Sequence, residues 1–164
     1  MVRFSPPDLD TIRRTAERLE PYIFRTPVVT YPCELPELND VHLQVKLELL
    51  QVTGSFKPRG AINNVMHGHE LQRGITAFSA GNHAIAAAYA ARIHQIPATV
   101  VMPRSANSFR VNQCLQQGAQ IEYGEDIAAL LAIVERLQHN HGMTLVHPFE
   151  GEHTAAGTAT LGLE

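Results

Sequence analysis

The chain has 164 residues, 45% of them hydrophobic and 18% charged, with a formal net charge of −3. That composition is ordinary for a globular protein with one sizeable core, and the charge offers no handle for nucleic acid or an anionic membrane. No apolar run is long enough to cross a bilayer, the first ten residues lack an apolar signal core, and Cys33 and Cys114 have neither CxxC nor zinc-site spacing.

These features describe a soluble, reduced, cytoplasmic protein. The first predicted element is a helix over residues 8–22. Leu9, Ile12, Ala16, Leu19 and Ile23 recur at helical spacing, Pro6 and Pro7 precede it, and Asp8 is placed to cap it. Residues 24–39, broken by Pro27, Pro32 and Pro36, read as extended loop. Residues 41–47 alternate, with Val41, Leu43, Val45 and Leu47 on one side, the pattern of a half-buried strand. From Ile75 the pattern becomes regular: strand 75–78, alanine-rich helix 82–94, strand 98–102, helix 108–117, strand 120–123, helix 126–139 and strand 144–146. Gly74, Gly118 and Gly142 stand before strands, where helix C-terminal glycines belong. The chain stops at residues 160–164 in what reads as a helix still in progress, so a fragment of something longer is expected.

Short apolar strands alternating with amphipathic helices predict parallel βαβ units. The expected fold class is α/β, a three-layer open parallel sheet with helices on both faces. In such sheets ligands bind beyond the carboxyl ends of the strands, so functional residues should lie where strands hand over to helices.

Three strings meet that description. In Thr53-Gly54-Ser55-Phe56-Lys57-Pro58-Arg59-Gly60, Gly54 permits a tight turn, Ser55 suits an N-cap and Pro58 the first helical turn. Lys57 then sits at a helix N-terminus, where the dipole disfavours an ammonium ion, and burial would act in the same direction. A lysine held neutral is a nucleophile fit to condense with an aldehyde cofactor. Alone, the same lysine reads more readily as a solvated first-turn residue, and its spacing does not match a Walker loop. Only one other lysine exists, Lys46, in the alternating strand. In Ser79-Ala80-Gly81-Asn82-His83-Ala84, backbone N–H groups at a helix start could hold a carboxylate or phosphate. There Gly81 lets a ligand approach, and Asn82 can both donate and accept. The third string, His147-Pro148-Phe149-Glu150-Gly151, is by itself a turn.

Taken together with Lys46-Leu47-Glu48, Val101-Met102-Pro103 and Gly118-Ala119, these strings resemble, in order and spacing, the fold-type-II pyridoxal-phosphate (PLP) enzymes. The resemblance is closest to the threonine/serine dehydratases and covers nearly the whole chain. It implies a tryptophan-synthase-β-like fold in truncated form, with residues 67–150 as a complete small domain and residues 1–66 and 151–164 as parts of a larger cofactor domain. It also implies pyridoxal 5'-phosphate as cofactor, with Lys57 carrying it, Phe56 against its ring and Asn82 bonded to its 3-oxygen. Ser79, Ala80, Gly81, Asn82 and His83 would bind the substrate carboxylate. The implied activity, in a homo-oligomer, is that of a lyase of amino-acid metabolism: β-elimination of threonine, serine or a related β-hydroxy amino acid to a 2-oxo acid and ammonia. A sibling lyase such as a hydroxy-aspartate dehydratase, an amino-acid racemase and a non-catalytic α/β module are the alternatives.

His83 stands where the cysteine-synthase branch has threonine, which disfavours β-replacement. Ala80 stands where serine racemases carry a second serine, which favours dehydration. The sequence departs from the dehydratases at Ala84-Ile85-Ala86 and at Ala156-Gly157-Thr158-Ala159-Thr160, both of which bear on side-chain specificity. The glycine-rich phosphate loop and the residue facing the pyridine nitrogen belong downstream of position 164, so this chain alone is expected to bind PLP weakly and to turn nothing over. No metal is expected. The pairs His67/His69 and His139/His141 read as solvated helix ends, Asp126, Glu150 and Glu152 as surface or capping groups, and Cys114 as a small core residue.

Overall fold

The first helix forms where its cap and spacing put it. In this computed structural model, which describes residues 5–31, 42–68 and 71–164, helix α1 spans Leu9–Leu19. The Asp8 carboxylate accepts from Thr11 N at 2.7 Å, satisfying one of the amide donors that a helix start leaves open. The segment after it is not all loop. Val28–Thr30 forms β1, paired antiparallel with β2, Gln44–Lys46, so that Val29 faces Val45. The alternation at 41–47 therefore marks a real strand, shorter than expected. Its first residue, Val41, and residues 32–39 of the expected loop lie outside the described residues.

Helix α2, Lys57–His67, is followed by the regular part of the chain: β3 Ile75–Phe78, α3 Asn82–Ile93, β4 Ala98–Pro103, α4 Ser108–Gln116, β5 Gln120–Gly124, α5 Ile127–His141 and β6 Thr144–Leu145. The four strands pair in the order β5-β4-β3-β6, all parallel. Successive residues of β4 face opposite sides. Val100 and Met102 pack with Ala84, Ala87 and Ala91 of α3, whereas Val101 packs with Leu130, Val134 and Leu137 of α5. Burial on both faces is why β4 carries no charged residue and is apolar apart from the buried Thr99. The protein is thus an α/β fold in which helices flank an open parallel sheet on both faces. Helix α5 ends at Gly142, whose φ of 66° is left-handed. Gly142 N bonds to Gln138 O and Met143 N to Leu137 O, closing the helix and aiming the chain into β6.

Helix α6, Glu152–Ala159, lies across α2, and the last residues tighten into a 3-10 turn, Thr160–Leu163, rather than continuing as α-helix. Gly157 makes the close crossing possible: a Cβ there would lie 2.2 Å from Arg59 O. One apolar cluster joins Leu19, Ile62 and Val65 to Ile75, Val100 and Val146, so residues on either side of position 67 share a core. Among the described residues no helix is long and apolar enough to cross a membrane.

Candidate active site

The strand order creates the site. From β3 the chain runs through α3 and β4 to β5 along one edge, then α5 carries it back so that β6 pairs on the other edge of β3. Connections that diverge around one strand leave a crevice beyond the carboxyl ends, the usual ligand position in open α/β sheets. Two turns flank that crevice, one after β3 and one after β6, and His83 ties them together. Its imidazole is buried, with Nε2 2.8 Å from Val146 O. A carbonyl only accepts, so Nε2 carries the proton. Burial pushes the His83 pKa down to about 4. The Val146 bond opposes that shift, and the charges of Lys57 and His147 add to it. The ring is therefore neutral at pH 7. Its side chain faces β6, which leaves the backbone of residue 83 as the part available to a ligand at the loop.

Lys57 reaches the same place from α2. Its Nζ donates to Pro148 O at 2.8 Å, in the turn after β6, and lies 4.2 Å from the ring centroid of Phe149 and 5.0 Å from that of Phe56. The expected helix start holds for Lys57 and Pro58, but the expected cap does not. Phe56, with φ −70° and ψ −13°, occupies the cap position, and no side chain among the described residues caps the helix. Ser55 is extended, and its hydroxyl is buried without a partner among the described residues. The displacement follows from the turn before it, where Thr53 and Gly54 both have positive φ, 64° and 72°. A β-branched residue in that region is strained, by about 1–3 kcal/mol, and such strain collects at functional turns. Burial lowers the Lys57 pKa from the ordinary lysine value, and the helix start acts with it. The Pro148 carbonyl and the two ring faces favour the ammonium form and limit the effect.

An ion network fixes the start of α2, and nothing in the sequence reading singled it out. The Arg59 side chain is fully buried and bonds Glu48 through Nε at 2.8 Å and Nη2 at 2.9 Å, and Glu164 at 2.7 Å. Lys46, at the end of β2, pairs with Glu164 at 2.8 Å and donates to Thr26 O at 2.8 Å. Burial pushes the Glu48 and Glu164 carboxyls up, but the Arg59 hydrogen bonds, with others from Thr26 and Lys46, hold both below the ordinary glutamate range. Lys57 stands two residues before Arg59, so this network anchors the turn that presents the amine.

The loop after β3 is open. Ser79 Oγ accepts from Gly81 N at 3.1 Å, and Gly81 O accepts from Ala84 N at 3.1 Å, which closes the first turn of α3. Among the described residues a Cβ at Gly81 would meet only Ser79 Oγ, at 4.0 Å, so the loop leaves room for a ligand at the helix start. Ala80 adds no polar group. Asn82 is exposed, and its Oδ1 accepts a hydrogen bond from Arg110 of α4, a partner absent from the sequence reading. His147 holds the opposite turn, its Nδ1 accepting from Glu150 N at 2.8 Å and Phe149 N at 3.3 Å. Phe149, called only part of a turn, is 75% exposed and walls the cleft. Among the other histidines, His67 stacks on His153 at 4.3 Å, and His69 lies outside the described residues.

The groups here fit pyridoxal phosphate. A cleft of about 380 Å³ is lined by Phe56, Lys57, Pro148, Phe149 and one face of α6. It offers apolar walls to a flat ring with an amine at its edge. The buried hydroxyls of Thr53 and Ser55 have no partner among the described residues, so the turn before Lys57 holds unspent donors.

Comparison with known proteins agrees. A phenylserine dehydratase of Ralstonia pickettii is 41% identical over 160 residues, covering 96% of this chain and 49% of that protein. An L-threonine ammonia-lyase of Thermotoga maritima is 40% identical, with 95% and 39% covered. The structure of maize serine racemase superposes with a TM-score of 0.88 at 33% identity, covering 97% of this chain and 49% of that one. The chain therefore spans about half the length of the relatives it matches, or less. The family model described as "Pyridoxal-phosphate dependent enzyme" matches residues 19–164, so the chain belongs to that family, whose cofactor is pyridoxal 5'-phosphate.

Proposed function

We propose that this chain supplies the lysine-bearing half of a PLP-dependent dehydratase, an ammonia-lyase acting on threonine, serine or a related β-hydroxy amino acid. The observation that carries the reading is the Lys57 amine, 2.8 Å from Pro148 O and covered by Phe56 and Phe149 at the mouth of the β3/β6 crevice. When bound, pyridoxal phosphate supplies an electron sink that acidifies the substrate's Cα–H bond. Lys57 would hold the cofactor through its amine, and the same amine, when free and neutral, would take the substrate's α-proton. Phe56 would lie against the cofactor ring, and Asn82 would address its 3-oxygen. Residues Ser79, Ala80, Gly81, Asn82 and His83 hold the substrate carboxylate at the start of α3, His83 through its backbone. The β-hydroxyl would leave with a proton as water, and hydrolysis of the released enamine by water would give a 2-oxo acid and ammonia.

A racemase is the second reading, favoured by the likeness to maize serine racemase. Against it, Ala80 has no proton to deliver to the opposite face of Cα. The reading extends to a cytoplasmic homo-oligomer with a small-molecule substrate and neither nucleic-acid nor membrane partner. It takes residues 67–150 as the small domain, with residues 1–66 and 151–164 belonging to a larger one. The test is borohydride reduction of the full-length polypeptide with PLP, followed by peptide mapping and an ammonia assay with threonine and serine. The label should fall on Lys57 and disappear in Lys57→Ala. A reducible adduct at full stoichiometry in Lys57→Ala removes the assignment, and inversion of serine without ammonia release favours the racemase.

A further inference from the structure

We propose that Arg110 is a positioning residue that sets which end of the Asn82 amide faces the cofactor. The inference rests on the reading of Asn82 as a cofactor contact and adds how its polarity is chosen. An asparagine amide has a donor end and an acceptor end, and nothing in its shape decides between two orientations related by a half-turn. Arg110 decides it. The guanidinium has only donors, and Nη1 gives one to Asn82 Oδ1. With Oδ1 engaged on the α4 side, the NH₂ group is the end left for any other partner. An oxygen bearing negative charge accepts from such a group, whereas the opposite orientation would set two lone-pair-bearing oxygens against each other.

The rest of the surroundings agrees with that role. Arg110 lies in the first turn of α4, close to where β4 ends and beside the start of α3. It makes no ion pair with a carboxylate among the described residues. Its guanidinium instead donates to Asn82, at the start of α3. Arg104, by contrast, pairs with Glu125, and Arg136 with Glu122. Arg110 is thus spent on the site and not on the surface charge pattern around it. Its fixed fork also suits holding an amide oxygen in one place better than a flexible lysine would.

The test is a double-mutant cycle on the full-length polypeptide with PLP as the probe, using Asn82→Ala, Arg110→Met, the double variant and Arg110→Lys. The readouts are the PLP dissociation constant by equilibrium dialysis and the pH dependence of the bound chromophore's absorbance, with thermal melts to confirm folding. Arg110→Met should weaken PLP roughly tenfold, the worth of one charge-assisted hydrogen bond. Combined with Asn82→Ala it should add nothing further, because it acts through Asn82. Arg110→Lys should recover part of the loss, and the absorbance transition should move in Arg110→Met as it does in Asn82→Ala. Additive losses, or an Arg110→Met variant with unchanged affinity and absorbance while Asn82→Ala is impaired, overturn the proposal alone. If Asn82→Ala itself leaves both readouts unchanged, the cofactor role of Asn82 is wrong and the proposal falls with it.

Discussion

Replacing His83 by glutamine should flatten the acid limb of the stability curve. In the folded protein the buried imidazole has its pKa pushed down to about 4, against 6.5 for the ordinary side chain. As pH falls through 6.5 the unfolded chain takes up a proton that the folded chain refuses, so stability is lost from there until the folded ring protonates near 4. Each pKa unit between the two states is worth about 1.4 kcal/mol, so the full loss from this one group is about 3 kcal/mol. Glutamine keeps an Nε2 donor for Val146 O and does not titrate. His94 is also shifted down by burial and works in a similar window, while Glu48 and Glu164, shifted down among their cationic partners, act at lower pH. The comparison with His83→Gln subtracts all three. Urea denaturation of both proteins at several pH values between 7.5 and 4.5 supplies the assay. Whatever the offset at pH 7.5, the gap should move in favour of the variant by roughly 1 kcal/mol per pH unit below 6. Parallel curves over the whole range would refute a neutral, buried His83.

Two further outcomes follow from packing. Gly157→Ala places a methyl 2.2 Å from Arg59 O and 2.9 Å from Asn63 Cβ, which forces α2 and α6 apart at a cost of about 1–3 kcal/mol. Gly162→Ala meets nothing within 4 Å among the described residues and serves as the control, so equal melting temperatures for the two variants would contradict the crossing. Cys114 is buried, with its thiol pushed up to about 11 by desolvation. In a Cys33→Ser background its reaction with a thiol reagent at pH 8 should track unfolding and accelerate with urea. Fast stoichiometric labelling in native buffer is the contrary result.

The regular half of the fold was legible because each element carries its own period. Ile75 to Phe78 is a short, largely apolar run bounded by a glycine, and the alternation in β4 between faces buried by α3 and α5 leaves no charged position to misread. Asp8 and Asp126 announce helix starts because each carboxylate reaches an amide three residues on. β1 was not legible. Its three residues are all exposed and are held by ladder bonds to β2 rather than by burial, so no hydrophobic pattern marks them. Ser55 misled for a related reason. A serine before a helix is a good cap only if the chain enters in the right direction, and the two positive-φ residues before it turn that hydroxyl inward.

The site was legible as chemistry and not as geometry. Lys57, the loop at 79–83 and the turn at 147–149 are spread over more than half the chain, and the hydrogen bond between Lys57 and Pro148 spans 91 residues. Whether β6 returns beside β5 or beyond β3 depends on which edge the crossover of α5 reaches, and local periodicity is silent on that choice. Pairing with β3 is what brings Val146 within reach of His83 and Pro148 within reach of the amine. The same reasoning accounts for Arg59. A fully buried guanidinium costs several kcal/mol to desolvate unless carboxylates meet it, and here they come from Glu48 and from Glu164, 105 residues away. Hydrophobic patterning cannot foresee such a pairing, because in sequence a buried arginine looks like any other. Its position two residues after Lys57 gives the expense a use: the turn that presents the reactive amine is held by charge as well as by packing, so the amine can stay half-buried without the helix start drifting.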